Sequence, residues 1–94
     1  MEYSYKVIGE LKGQQDALVD IELTLNGRRY HGTIATINSL NERMENYRRS
    51  GENAKGSYFC TRSLIILKDM SKKTIQDTLE DLIKRNEVED FLEN

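Results

Sequence analysis

The sequence has no proline, a single cysteine, Cys60, and a single histidine, His31. Without proline, no proline-rich linker divides the chain, and a lone cysteine cannot form a disulfide within it. The longest aliphatic run, Leu64–Leu67, is far shorter than the roughly 20 apolar residues that cross a bilayer. These absences exclude a disulfide-stabilised secreted scaffold and argue against a membrane partner.

Size and composition predict one soluble domain, residues 1–94. Of the 94 residues, 37% are hydrophobic and 32% charged, and the formal net charge is −2. Two cores in a chain this short would each be too small to fold unaided, and the chain is too apolar for disorder. The first residues, with the acidic Glu2, lack the basic start and apolar core of a signal peptide. We therefore expect a cytoplasmic protein.

A β-hairpin centred on Asn26-Gly27 is the clearest local signal. Residues 18–25 alternate apolar and polar side chains, Asn-Gly is typical of a type I′ turn, and residues 28–37 form the returning strand. A two-residue turn fixes the register, so that opposed residue numbers sum to 53. Leu23 then faces Tyr30 on the core side of the sheet.

Two more strands flank this hairpin in sequence. The alternation of Tyr3, Tyr5 and Val7 with polar residues predicts a first strand, and residues 13–16 predict a turn after it. Residues 58–68 are rich in aromatic and β-branched side chains, with apolar residues on both faces of 64–67. Such a run predicts a strand covered on both sides.

The first helix is predicted between Ser39 and Gly51. Ser39, followed by Glu42 three residues later, has the pattern of a capping box, and Gly51 is typical of the position after a helix. Its apolar stripe is narrow, so this helix should lie on the surface and bury little: Leu40, Met44 and Tyr47. Residues 51–56 are interpreted as a polar, mobile loop.

The last helix is predicted to begin at Ser71 and to stop near Asn86, with residues 88–92 as a short apolar tail docked on the sheet. The element order is therefore β-β-β-α-β-α. This order predicts an α+β fold, in which helices pack mainly on one face of a four-stranded, mostly antiparallel sheet.

The sequence contains no catalytic constellation that we can identify. Cys60 and His31 each stand alone in their type, and Glu22 opposes His31 across the predicted hairpin, which is typical of a structural pair. One histidine and one cysteine are too few for a transition-metal site. We therefore expect a protein that is not an enzyme, with no catalytic residue, metal or cofactor. An enzyme would use the polar groups near His31: Glu22, Tyr30, Thr33 and Arg62.

Charge is unevenly distributed along the chain. Residues 1–27 carry a formal charge of −3, residues 28–62 carry +4 and residues 63–94 carry −3. Six of the seven bases in the middle segment are arginine, the residue preferred for recognising phosphate or carboxylate groups. The candidate binding residues are Arg28, Arg29, His31, Arg48, Arg49, Lys55 and Arg62.

Residues 23–34 resemble the first motif of Sm-like RNA-binding proteins. Both have two strands joined by a tight turn with spaced glycines, and Asn38 stands where that family has an acidic residue. The resemblance implies RNA binding and covers about 20 of the 94 residues. Residues 40–49, however, predict a helix where the family has a strand, and Ser63 follows Arg62 where the family has glycine. We therefore do not assign the chain to this family.

Two functions remain after these exclusions. The first is a small non-catalytic protein-binding module of the inhibitor, immunity or regulatory type, which binds another protein or itself as a homodimer. Exposed sheet edges can accept an added strand, and separate acidic and basic regions can complement a partner. The alternative is nucleic-acid binding through the arginine-rich middle segment, with affinity that falls steeply as salt rises.

Overall fold

The computed structural model of the chain describes residues 2–8 and 18–94. Within these residues lie strands β1 (Tyr3–Ile8), β2 (Leu18–Leu25), β3 (Arg28–Thr36) and β4 (Leu64–Leu67), and helices α1 (Ile37–Ser50), α2 (Glu52–Gly56), α3 (Lys72–Lys84) and α4 (Val88–Phe91). The turn predicted at residues 13–16 lies outside the described residues.

The four strands form one sheet in the order β1-β2-β3-β4. β1 and β3 both pair antiparallel with β2, whereas β4 pairs parallel with β3, so the sheet is mixed. The predicted α+β fold is therefore confirmed. The hairpin register is confirmed as well, because the pairs run from Leu25 with Arg28 to Leu18 with Ala35. Asn26 and Gly27 have the positive φ angles, 52° and 82°, that a type I′ turn requires.

The core lies between one face of the sheet and helix α3. Helix α3 begins after Ser71, as predicted, and the Ser71 hydroxyl accepts a hydrogen bond from the Thr74 amide. Met70 and Ile75, which flank this cap, are both buried. The buried apolar residues that pack together in this core are Val19, Ile21, Leu23, Tyr30, Ile34, Leu67, Met70, Ile75, Leu79, Val88 and Leu92.

The C-terminal segment docks beside β3, as the apolar tail predicted. Glu93 exchanges two backbone hydrogen bonds with His31, of 2.6 and 2.8 Å, and so forms an antiparallel bridge next to β4. Leu92 is buried against Gly32, where a Cβ would collide with the Leu92 Cδ2 and come within 2.9 Å of the Ser63 carbonyl. Glycine is therefore required at this position for the tail to dock.

Helix α1 begins three residues earlier than the sequence predicted. Its N-cap is Thr36, whose side chain accepts a hydrogen bond from the Ser39 amide while the Ser39 hydroxyl bonds back to the Thr36 backbone. Ser39 is thus the third helical residue, and the predicted box with Glu42 is wrong. Gly51 ends the helix in the left-handed conformation (φ 88°), as predicted. Among α1 residues, only Ser39 is buried, so this helix lies outside the main core.

The structure of the segment between α1 and β4 differs from the sequence prediction in three respects. Residues 52–56 form the short turn α2 rather than a loop, with left-handed φ angles at residues 53–55. Strand β4 spans four residues instead of residues 58–68, because Phe59 stacks on Tyr47 of α1 and Ser63 has a positive φ of 52°. Cys60 is consequently exposed outside any strand. Ile66 is also 53% exposed, so the predicted cover over the second face of β4 is wrong.

Candidate protein-binding edge

Strand β1 forms one edge of the sheet. It pairs with β2 over six residues, from Tyr3 with Leu25 to Ile8 with Asp20. On its other side, no strand within residues 2–8 and 18–94 pairs with it. An unpaired edge of this length is a template for an additional strand.

The backbone of β1 directs alternate residues towards β2 and away from it. The Asn26 amide donates to the Glu2 carbonyl over 3.3 Å, and bonded pairs in an antiparallel ladder recur at every second residue. The even-numbered residues of β1 therefore bond to β2. The odd-numbered residues direct their N–H and C=O groups outwards: Tyr3, Tyr5 and Val7.

The pairing of β2 with β3 in the hairpin independently shows which residues of β1 bond to β2. Leu25 and Arg28 close the two-residue turn and form a bonded pair, so the odd-numbered residues of β2 bond to β3. The even-numbered residues of β2 are left to bond to β1. The outer edge of β1 thus presents three donors and three acceptors, which have no partner among the described residues.

The side chains of β1 divide between two environments. Those of Tyr3, Tyr5 and Val7 are half-buried against the core, whereas the exposed side chains lie on the opposite face: Ser4, Lys6 and Ile8. Lys6 is the charged residue at the middle of the edge. A central lysine is a common device against indiscriminate strand pairing.

A groove runs between the outer edge of β1 and helix α3. It has a volume of about 550 Å³ and is lined by Tyr3, Ser4, Tyr5, Lys72 and Gln76. A strand added to β1 would lie along this groove and place alternate side chains in it. Tyr3 forms part of the wall, and desolvation, followed by its hydrogen bond with Glu80 of α3, raises the pKa of its phenol.

A second depression continues from this groove towards the hairpin turn. Its volume is about 600 Å³, and its lining shares Tyr3 and Ser4 with the groove and adds Glu2 and the turn residues Asn26 and Gly27. The concave surface therefore follows β1 from its middle to its beginning.

Three of the predicted arginines have acidic partners. Arg28 Nη1 lies 2.9 Å from Glu89 Oε1, and Glu89 also accepts a hydrogen bond from the Tyr30 hydroxyl. Arg48 and Arg49 share one carboxylate, Glu45, at 2.6 and 3.7 Å. The hydrogen bond between Arg48 and Glu45 lowers the pKa of Glu45 and raises that of Arg48.

The other predicted basic residues lie on separate elements. Arg29 is near the start of β3, Lys55 is in α2 and Arg62 precedes β4; all three are exposed, and none forms an ion pair with another described residue. The seven predicted residues thus lie on the hairpin, on α1 and α2, and near β4. They do not share one element.

His31 lines a polar cleft on the second face of the sheet. The cleft has a volume of about 310 Å³, and its lining includes Asp20, Thr33, Arg62 and Glu93. His31 Nδ1 lies 4.0 Å from Glu22 Oε2, as their opposed positions in the hairpin predicted. Of the polar groups proposed for an enzyme, His31, Thr33 and Arg62 line this cleft. Tyr30 is instead buried in the core.

The residues that line this cleft with His31 include three with hydroxyl groups, Thr33, Thr61 and Ser63. Cys60 is not among its lining residues. The Thr33 hydroxyl is buried and donates to Asp20 over 3.4 Å. Within the described parts of the chain, no group of three or more His, Cys, Asp or Glu residues could hold a metal ion. The arrangement can accept a polar group.

Comparisons with known proteins give no functional information about this edge. The chain matches no protein-family model, no curated protein and no solved structure. In residues 2–8 and 18–94, none of the helices has the length and apolar character needed to cross a membrane.

The sequence did not single out the edge residues Tyr3, Tyr5 and Val7 as binding residues. The alternation of these residues with polar ones predicted the strand. The outward direction of their N–H and C=O groups, however, depends on the pairing of β1 with β2. A long connection, residues 9–17, separates these strands, and only a two-residue turn would have fixed their register.

Proposed function

We propose that this chain is a small non-catalytic protein-binding module, of the inhibitor, immunity or regulatory type, which binds its partner by strand addition to the outer edge of β1. The observation that carries this proposal is the row of three outward N–H and three outward C=O groups at Tyr3, Tyr5 and Val7. An extended segment of another protein chain is the ligand that matches such a row.

The free energy gained from backbone hydrogen bonds determines how much binding free energy the side chains must add. Six backbone hydrogen bonds at about 0.5–1.5 kcal/mol net each supply about 3–9 kcal/mol. The loss of translational and rotational freedom on association costs about 4–15 kcal/mol. Backbone pairing alone therefore supports weak binding. Side chains in the groove beside Lys72 and Gln76 supply the remaining affinity and the specificity.

The arginines support this proposal over nucleic-acid binding. A phosphate that binds Arg28 would displace Glu89, and one that binds Arg48 or Arg49 would displace Glu45. The loss of an existing ion pair offsets part of the gain from each such phosphate contact. Nucleic-acid binding remains the alternative, and the experiment below includes it as an outcome.

Photo-crosslinking from the edge tests the proposal. A photoreactive phenylalanine analogue replaces Ser4, which is exposed on β1 and lines the groove. The matched control carries the analogue at Glu52, an exposed position in α2. We expect irradiation of cells that express the chain to give a protein adduct from position 4 and none from position 52. A nuclease-sensitive adduct, or equal adducts from both positions, would contradict strand addition at β1.

A further inference from the structure

Basic and acidic residues form an alternating row across the second face of the sheet. Lys6 of β1 pairs with Glu22 of β2, Glu22 pairs with His31 of β3, and His31 forms the bridge with Glu93. Directly opposed residues share one face of a sheet, so basic and acidic side chains alternate along this row. The row ends on Lys6 at the open edge. An acidic side chain on an added strand would continue it.

We propose that the added strand is β1 of a second copy of this chain, paired antiparallel about a two-fold axis at Ser4. This inference rests on the proposed function and names its partner. In this register, residue numbers across the interface sum to eight. Lys6 then lies directly opposite the partner's Glu2, and the same pair occurs again across the axis. Both residues are exposed in the single chain, which leaves them available to pair.

The aromatic residues of the edge also match in this register. Tyr3 opposes the partner's Tyr5, and this pair too occurs twice. Because these residues direct their N–H and C=O groups outwards, the two pairs exchange four backbone hydrogen bonds. Aromatic pairs and opposite charges are the cross-strand combinations that stabilise antiparallel sheets. Ser4 meets its own copy at the axis, where a small side chain fits.

The neighbouring registers lack this charge match. A two-fold axis at Lys6 would place the two lysines directly opposite each other, which is repulsive. An axis at Tyr5 would place Lys6 opposite the partner's Ser4 and would leave Glu2 without a directly opposed cation. The axis at Ser4 alone gives two direct ion pairs. It also closes the assembly, because each β1 edge is used once, whereas a head-to-tail contact would continue into a fibre.

Charge exchange between two variants tests both the dimer and its register. In Glu2→Lys, two lysines face each other twice across the interface, and in Lys6→Glu, two glutamates do so. We expect self-association of each variant, measured by sedimentation equilibrium, to be at least about tenfold weaker than that of the natural chain. A mixture of the two variants restores both ion pairs. We therefore expect mixed dimers with the affinity of the natural chain.

Matched controls carry the same charge changes elsewhere. Glu52→Lys in α2 and Lys84→Glu at the end of α3 are exposed positions far along the chain from β1, and these variants should associate as the natural chain does. Thermal unfolding of all variants checks that Lys6→Glu, which faces Glu22, remains folded. Restoration by mixing cannot arise from a folding defect, because each variant would retain its own defect in the mixture.

Three outcomes would overturn the inference. A chain that stays monomeric up to about 1 mM has no dimer of this kind. A dimer that is weakened by Lys6→Glu but not by Glu2→Lys lacks the direct pair between these two residues, and one that neither variant affects uses another surface or register. A monomer that still crosslinks from position 4 to a different protein would reject the second copy as the partner and leave strand addition at β1 supported.

Discussion

Proline substitutions at Lys6 and Val7 test the backbone direction on which the proposed binding edge depends. Proline removes one amide donor and adds ring atoms on the side where the N–H pointed. At Lys6, that side faces β2 and the Glu22 carbonyl; at Val7, it faces away from the sheet. Edge strands tolerate proline where the N–H points to solvent. The two neighbouring positions should therefore respond very differently.

The expected costs follow from the structure. Lys6→Pro leaves the Glu22 carbonyl without its donor and places the ring against β2, which together lower the free energy of unfolding by about 3 kcal/mol. Val7→Pro breaks no hydrogen bond of the described fold. The half-buried valine is replaced by a ring of similar apolar size, and proline restricts the unfolded chain, so the net cost should be about 1 kcal/mol or less.

Urea unfolding, monitored by circular dichroism at low protein concentration, measures both costs. A difference of about 2 kcal/mol corresponds to about 8–16 °C in Tm for a chain of this size. Side-chain burial alone predicts the reverse order, because Val7 packs against the core whereas Lys6 is exposed. If Val7→Pro were the more destabilising substitution, the assignment of outward groups to the odd-numbered residues would be wrong.

Three further predictions concern the scaffold that holds the edge. Gly32→Ala should lower stability by about 2 kcal/mol, measured by urea unfolding, because its Cβ collides with Leu92; an unchanged stability would contradict the docking of the C-terminal tail. Thr36→Ala removes the N-cap of α1 and should cost about 1 kcal/mol, whereas Thr36→Ser should restore most of it. Hydrogen bonds from Thr74 and Ser71 lower the pKa of Asp69 from 3.8 to about 2. Their stabilisation is therefore present above about pH 4 and is lost as pH falls through about 2, and Asp69→Asn should flatten the acid dependence of unfolding in that window.

Local signals in the sequence predicted much of the fold. The Asn26-Gly27 turn fixed the hairpin register because a two-residue turn leaves no other pairing. Ser71 and Gly51 gave a helix start and a helix end that the structure confirms. The start of α1 was misplaced because Thr36 and Ser39 both have capping side chains. Only the end of β3 at Thr36 decides which of them is the cap.

Features that depend on contacts between residues distant in sequence could not be predicted from the sequence. The glycine requirement at position 32 arises from Leu92, 60 residues later, and from the nearby Ser63 carbonyl. The early end of the predicted strand at 58–68 depends on the stacking of Phe59 with Tyr47 and on the positive φ of Ser63. The proposed binding edge depends on a register between β1 and β2 that no short turn fixes. The sequence therefore predicted that Tyr3, Tyr5 and Val7 lie in a strand, but it did not identify them as candidate binding residues.

Amide hydrogen exchange along β1 tests the central claim most directly. At low protein concentration, the amides of Ser4, Lys6 and Ile8 should be protected by β2, while those of Tyr3 and Tyr5 should exchange rapidly. At high concentration, where the edges pair, the amides of Tyr3 and Tyr5 should become protected as well. If these two amides exchanged rapidly at every concentration, and also in the presence of any protein captured from position 4, β1 would not be the binding edge.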